Sequence, residues 1–387
     1  MGTKIDMTGT SVELMFMLRL LRSTKFEDEQ SVLFFSSNLD WNKLLKTIQF
    51  HRMYPVLYLE LKKLDLDWIP PWFMERLKSK YERNVINMLR LCSDLEKLNK
   101  QFRDSGIPSL HLKGPVLARK IYGEISLRTS KDLDILVSPE DVRKAEEVLL
   151  NLGYTTDVKI LNVWKWKSHH ISYNHSATQT EVELHWRINP ETSGSAFHEV
   201  WERRNDVVFS SQHISLLGNE DLFVYLVTHG SRHGWMRLRW LYDIDQMLRT
   251  KVLDFPFLKR LLQKTRSSHL VGQALLLSNE LLGTPIPDEL ATLVQGERAL
   301  RLAQKSFYYL NHTIEISPEG DILENKDFKK YVYSLFTGRQ KIQYLVNRLY
   351  PSAKDALLLP LPKPLRFLYF PLRPFLWAWR QMRRQYL

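Results

Sequence analysis

Residues 111–137 read HLKGPVLARKIYGEISLRTSKDLDILV, and the end of this stretch decides the fold. Side chains alternate across a strand, so in Asp132-Leu133-Asp134-Ile135-Leu136-Val137 the two carboxylates project on one face and Leu133, Ile135 and Val137 on the other. Two like charges one residue apart repel, and a hard divalent cation between them relieves that repulsion. Oxygen ligands of this kind suit Mg²⁺ or Mn²⁺. On charge alone, removing either carboxylate should leave stability level or raise it. An Asp-x-Asp by itself also occurs as a solvated strand cap, so the flanking residues carry the rest of the reading.

Upstream, the apolar run Ile107 to Leu112 leads into Lys113-Gly114-Pro115 and a helical stretch through Leu117 and Ile121. Proline fits the first helical turn. A strand running through glycine into a helix start presents backbone N–H groups and the positive end of a dipole, a ready phosphate site. Lys113 adds a full charge there. Arg128, Thr129 and Ser130, just ahead of Asp132, add a cation and two hydroxyls.

Taken in order, Lys113-Gly114, Leu117, Lys120, Tyr122, Arg128-x-Ser130-x-Asp132-x-Asp134 resembles the nucleotidyltransferases of the DNA polymerase β superfamily, above all an uncharacterised bacterial group of them. It is also similar to the toxin-type members, which carry Lys-Gly-Gly before an Asp-x-Asp strand. Here Lys113-Gly114-Pro115 stands where the superfamily more usually has Gly-Ser. Val182-Glu183-Leu184-His185-Trp186 is similar to the group's Glu/Asp-Leu-His-Trp element, and the likeness spans about residues 95–250. The resemblance implies a third metal carboxylate from a later strand. Glu181 and Glu183 share a face of that strand, and the motif match favours Glu183.

What the resemblance implies is an α+β chain with a small mixed β-sheet core flanked by helical domains. The expected boundaries are a helical N-terminal domain over 1–104, a nucleotidyltransferase core over 105–217, and a helical C-terminal domain with a basic aromatic tail over 218–387. Asp132, Asp134 and Glu183 are then the catalytic and metal-holding residues, with Mg²⁺ or Mn²⁺ as cofactor. Lys113, Gly114, Arg128 and Ser130 are the nucleotide-binding residues.

Hydrophobic spacing agrees. Apolar residues recur at helical intervals from residue 11 to 100, as in Leu44, Leu45 and Ile48 or Met88, Leu91 and Leu95. From Ser105 the period shifts, giving strand 107–112, helix 115–122, strand 132–137, helix 139–151, and strands near 169–174 and 181–188. From Glu220 the pattern is helical again to about residue 310, and residues 312–327 read as a loop.

His229 and His233 stand four apart in His229-Gly230-Ser231-Arg232-His233-Gly234-Trp235, a spacing at which two imidazoles can share a metal on a helix. Position 230 is glycine where a zinc protease carries glutamate, which argues against that site. A similar His-x-x-x-His-Gly-Trp stretch in the resembling group precedes Arg-x-x-Trp-Leu-x-Asp-Ile, as in Arg237 to Ile244 here. The resemblance therefore sets Arg232, His233 and Arg237, with His185, along the wall of the cleft.

With 387 residues, 44% of them hydrophobic and 25% charged, the chain is long enough for two or three globular units. One cysteine, Cys92, leaves no partner for an intramolecular disulfide and no cysteine cluster for a metal. No secretion-signal pattern and no long uncharged apolar run is present, so the expected location is the cytoplasm, peripheral at a membrane if the tail docks there. From Arg339 onward ten Lys/Arg face one acid, Asp355, so most of the net charge of +12 sits in the tail. That tail is rich in proline and aromatics, suited to an anionic membrane surface or an acidic partner. Packing on its own domain is the plainer alternative. Nucleic acid is the weaker candidate partner, because no reading module accompanies the charge.

The activity expected is Mg²⁺-dependent transfer of a nucleotidyl group from an NTP to a peptide, a sugar phosphate or another small acceptor. Two rivals remain at this level. A metal-dependent glycosyl or phosphate-linked tailoring transferase acting on a modified peptide also uses Asp-x-Asp, and a catalytically silent binding module would use the basic tail alone.

Overall fold

The computed structural model describes residues 4–22, 29–64, 66–156, 169–188, 197–210, 212–250, 252–312, 326–349, 355 and 358–385. Helices α1 (Val12–Leu21), α2 (Glu29–Asn38), α3 (Trp41–Phe50), α4 (Tyr54–Leu64) and α5 (Pro71–Asp104) precede the first strand. The Asp40 carboxylate accepts from the backbone N–H groups of Asn42 and Lys43, which caps α3. Pro71 opens α5, whose apolar stripe Met88, Leu91, Leu95, Leu98 and Phe102 is buried.

Seven strands follow: β1 (Ser109–His111), β2 (Asp132–Val137), β3 (Tyr154–Thr155), β4 (His170–His175), β5 (Thr180–His185), β6 (Asn205–Phe209) and β7 (Gln212–Leu216). They form one mixed sheet of order β3-β4-β5-β2-β1-β7-β6. β2 runs parallel to β5 and antiparallel to β1. Helix α6 (Pro115–Tyr122) joins β1 to β2, α7 (Val142–Asn151) follows β2, and α8 (Phe197–Glu202) precedes β6. The turn into α6 needs Gly114, whose φ of +84° lies in the left-handed region that side-chain-bearing residues seldom adopt.

The helical part after the sheet comprises α9 (Asn219–Arg232), α10 (Leu238–Arg249), α11 (Phe255–Thr265), α12 (Ser268–Leu282), α13 (Ala291–Val294), α14 (Glu297–His312), α15 (Lys326–Leu335), α16 (Gly338–Leu349) and a last helix, Tyr369–Gln385. Two cores divide at the sheet. Leu133, Ile135 and Val137 pack with Val182 and Leu184 against α5 and α7. Leu136 on the opposite face joins the core shared by α1, α3 and α4 with α9 to α12. Truncating such a buried leucine to alanine costs about 2–5 kcal/mol. Because one face of β2 is locked into the first core, Asp132 and Asp134 must point to the other.

The expected α+β arrangement is what forms. Helix 115–122 and strand 132–137 have the limits read from sequence, whereas the 107–112 strand contracts to Ser109–His111 and helix 139–151 starts at Val142. The strand near 169–174 is His170–His175, and the one expected over 181–188 ends at His185. The β6–β7 hairpin was not expected. Of the loop expected over 312–327, residues 313–325 lie outside the described residues.

In the tail, Phe375 is 72% and Trp377 54% exposed, and Phe367 and Trp379 are exposed as well. Arg373 Nη1 donates to the buried Asp355 at 2.9 Å. The side chains of Arg348, Lys354, Lys363, Arg366, Arg380, Arg383 and Arg384 lie outside the described residues. Among the described residues, no helix is long and apolar enough to cross a membrane.

Candidate active site

The register of β2 on β5 sets Asp132 beside Glu181 and Asp134 beside Glu183. Cross-strand partners share a face, so all four carboxylates rise from one side of the sheet. Asp134 is 1% exposed. Its Oδ1 accepts from Lys113 Nζ at 3.0 Å, and His185 Nε2 lies 3.2 Å from that same oxygen and 3.2 Å from Glu183 Oε2. Asp134 Oδ2 is buried and has no hydrogen-bond partner among the described residues.

Burial pushes the Asp134 carboxyl up, but Lys113 and the hydrogen-bonded His185 outweigh it and hold the group well below the usual carboxylate range. Asp132 moves the opposite way. Burial, then the Asp134 charge, raises it. Lys113 would lose affinity for its proton through burial, yet Asp134, Tyr225, Asp132 and Glu183 together raise it. The Lys113–Asp134 pair therefore reverses one expectation from sequence: removing Asp134 strands a buried ammonium rather than relieving repulsion.

Asp134, Glu183 and His185 offer one ligand atom each within 4.8 Å of one another. The partnerless Asp134 Oδ2 in an oxygen-rich set fits a hard divalent cation, and the added imidazole is compatible with Mn²⁺ as well as Mg²⁺.

Three consecutive residues ahead of β2 are each clamped by a helix. Arg128 is 1% exposed and donates from Nε and Nη2 to Asp243 of α10, each at 3.0 Å, while Tyr122 donates to the same carboxylate at 2.6 Å. Arg239 of α10 donates to the Thr129 carbonyl. Asn87 of α5 donates to the Ser130 carbonyl at 2.8 Å. Ser130 Oγ in turn donates to the Asp132 carbonyl at 3.2 Å. The strand carrying the carboxylates thus starts from a fixed point, the preorganisation a transfer site needs.

These elements enclose a cleft of about 480 Å³, within the usual size of a small-ligand site. Lys113, Arg128, Ser130, Asp132, Glu183 and His185 line it, as do Arg232, His233 and Arg237 from α9 and the start of α10. Gly114, expected among the nucleotide-binding residues, is not part of the lining and sits in the turn at the start of α6. The His229 and His233 rings stand 4.6 Å apart and both line the cleft. Gly230 between them is required because a Cβ there would come within 2.3 Å of the buried Trp235 ring. Burial first, with Arg232 and Lys113 adding, pushes His233 down to about 3, so its imidazole is neutral near pH 7.

The sequence reading missed several lining residues. Arg52, which ends the turn after α3 with φ of +56°, and Arg239 add two cations. His169 and His170 at the head of β4 bring two more imidazoles beside His185. Asp243 was visible only as the acid in Trp-Leu-x-Asp-Ile, and nothing local shows that it meets Arg128 across 115 residues.

Among solved structures, that of the lincosamide antibiotic adenylyltransferase LnuA with lincomycin bound is similar over 42% of this chain and 97% of that one, at 16% identity and a TM-score of 0.31. A comparison with curated proteins gives no match. The model of the uncharacterised nucleotidyltransferases matches residues 37–283, from just before α3 to the end of α12, and the chain belongs to this family of nucleotidyl-group transferases.

Proposed function

We propose that this transferase moves a nucleotidyl group from an NTP to an acceptor hydroxyl or phosphate, with Asp132, Asp134 and Glu183 as the residues that hold Mg²⁺ or Mn²⁺. The observation that supports this best is the pairing of Asp134 with Glu183 across parallel strands, with one buried Asp134 oxygen left without a partner. A divalent ion bound there would lower the pKa of the acceptor oxygen and neutralise charge on the leaving pyrophosphate.

The chain's own residues do the positioning. Lys113 and the N–H groups at the start of α6 hold the triphosphate, and Ser130 supplies a hydroxyl beside Asp132. Arg128 sets the β2 entry through Asp243 and keeps Nη1, buried without a partner among the described residues, for the nucleotide side of the cleft. Arg232 and Arg237, with neutral His233, form the wall that meets phosphate or acceptor. Titrating Lys113→Ala with an NTP analogue in Mg²⁺ tests this: affinity should fall by about tenfold, the worth of one charge-assisted contact. An unchanged titration would put Lys113 outside the nucleotide site.

The tail adds a location. Exposed Phe367, Phe375, Trp377 and Trp379, in a segment whose sequence is strongly basic, suit the interface of an anionic membrane, where aromatic rings insert and cations meet headgroups. The transferase is then peripheral to that surface.

A further inference from the structure

Beside the cleft lies a second hollow of about 670 Å³. Arg52, Lys80, Arg83, Lys131 and Arg237 contribute to its lining, and none of its described lining residues is acidic. The five cations come from four places in the chain: the turn after α3, helix α5, the entry to β2, and the residue before α10. Such convergence brings like charges together at a cost that a bound anion would offset. The crowding is visible in the groups themselves. Burial, then Arg237, brings Arg52 down to about 10.

The hollow and the cleft share Phe50, Arg52, Ser130 and Arg237 as a common wall. Lys113, which lies with the α6 N-terminus on the nucleotide side, is not part of the hollow. Asn84 and Asn87 line it too, but their amides are committed to the carbonyls of Ser126 and Ser130. What the hollow offers a ligand is therefore mainly cationic. A cleft sized for one nucleotide, joined at Ser130 to a basic recess beside Asp132, is the layout for two substrates meeting at one set of carboxylates.

We propose that this hollow receives a phosphate group carried by the acceptor, so that the acceptor class is a phosphorylated molecule; this rests on the nucleotidyl-transfer reading of the cleft. Arginine forks from Arg52 and Arg237 match phosphate oxygens in pairs, Arg83 adds a cation whose Nε and Nη2 donate to Ser79, and Lys80 and Lys131 add point charges. The donor's phosphates stay with Lys113 and α6.

The test titrates the full-length protein with inorganic phosphate, followed by calorimetry, with and without a saturating non-hydrolysable NTP analogue and Mg²⁺. Arg83→Gln and Lys131→Gln are compared with the wild type, since both side chains are exposed and neither lines the cleft. Phosphate should still bind when the analogue is present, and each substitution should weaken it by about 3- to 10-fold, the range of one charge-assisted contact. Analogue affinity should not change. Full competition between phosphate and analogue would assign the hollow to the donor's own phosphates and overturn the proposal, as would phosphate binding indifferent to both substitutions. If the analogue fails to bind while phosphate binds and responds to the substitutions, the cleft reading fails instead, and the acceptor assignment falls with it.

Discussion

Asp134 and Glu183 stand in register on the adjacent parallel strands β2 and β5, and the His185 Nε2 lies 3.2 Å from an oxygen of each. The environment of Asp134 is not set locally. Parallel pairing brings together segments about fifty positions apart, and Lys113, 21 residues before Asp134, supplies the charge that keeps Asp134 ionised. From this follow effects that differ between carboxylates one residue apart.

Asp132→Asn and Asp134→Asn should both abolish transfer, yet move stability in opposite directions. Asp134→Asn leaves Lys113 buried without its main counter-charge and should cost about 3 kcal/mol, the low end for breaking a buried pair because Asp132 and Glu183 remain nearby. Asp132→Asn removes a carboxylate whose pKa is raised, first by burial, and should leave stability level or higher near pH 7. The pH dependence has matching signs. The depressed Asp134 contributes stability above 3.8 that is lost as pH falls through its folded value, whereas the raised Asp132 contributes only at low pH and loses that as pH rises. Urea denaturation of both variants from pH 3 to 8 reads this directly; equal losses at pH 7 would contradict it.

Glu183→Gln should lower kcat by about a hundredfold or more, the scale of losing a group that stabilises developing charge. Glu181→Gln should change it less than about threefold, because Glu181 belongs neither to the Asp134–Glu183–His185 cluster nor to the cleft lining. Steady-state rates of the two variants decide the third carboxylate, and comparable mild effects would remove it.

His185 couples the site to pH. Burial lowers its proton affinity, but hydrogen bonds to Asp134 and Glu183 overcome this and raise it above 6.5. Its contribution to stability is thus fully present below 6.5 and is lost as pH rises through the folded pKa. Neighbouring His170, brought down to about 4 by burial and then His185, acts in reverse and contributes above 6.5. In chelator-treated protein, His185→Gln should flatten the decline in stability above pH 6.5. A parallel profile in wild type and variant would show that His185 is not charged.

Removing residues from Leu359 onward should reduce sedimentation with anionic vesicles and spare binding of an NTP analogue. Attachment should weaken steeply with salt, as the screening length falls from about 10 Å at 0.1 M to about 3 Å at 1 M. Loss of helical signal in the truncated protein would instead make the tail a packed part of its own domain.

Local signals carried the elements that hold the site. Alternation over Asp132 to Val137, with Gly114 and Pro115 marking the start of α6, needs no distant partner to be read. Hairpin β6–β7 escaped because Asn205-Asp206-Val207-Val208-Phe209 shows no polar–apolar alternation, and its place in the sheet depends on one long-range pairing, His111 with Leu216. The carboxylate positions were legible, but their charge states were not. That Lys113 touches Asp134, or that Arg128 is spent largely on Asp243, depends on packing between α6, α10 and the sheet. Arg52 carried no signal at all, since a lone arginine after a helix is ordinarily solvated.

The central claim is tested most directly by supplying NTP labelled either at the α-phosphate or at the γ-phosphate, with Mg²⁺ and a cell extract as the source of acceptor. Nucleotidyl transfer by Asp132, Asp134 and Glu183 should put the α label, and not the γ label, into product, only when divalent metal is present and not with Asp134→Asn. Product carrying the γ label alone, or α label incorporated equally by Asp134→Asn, would contradict it.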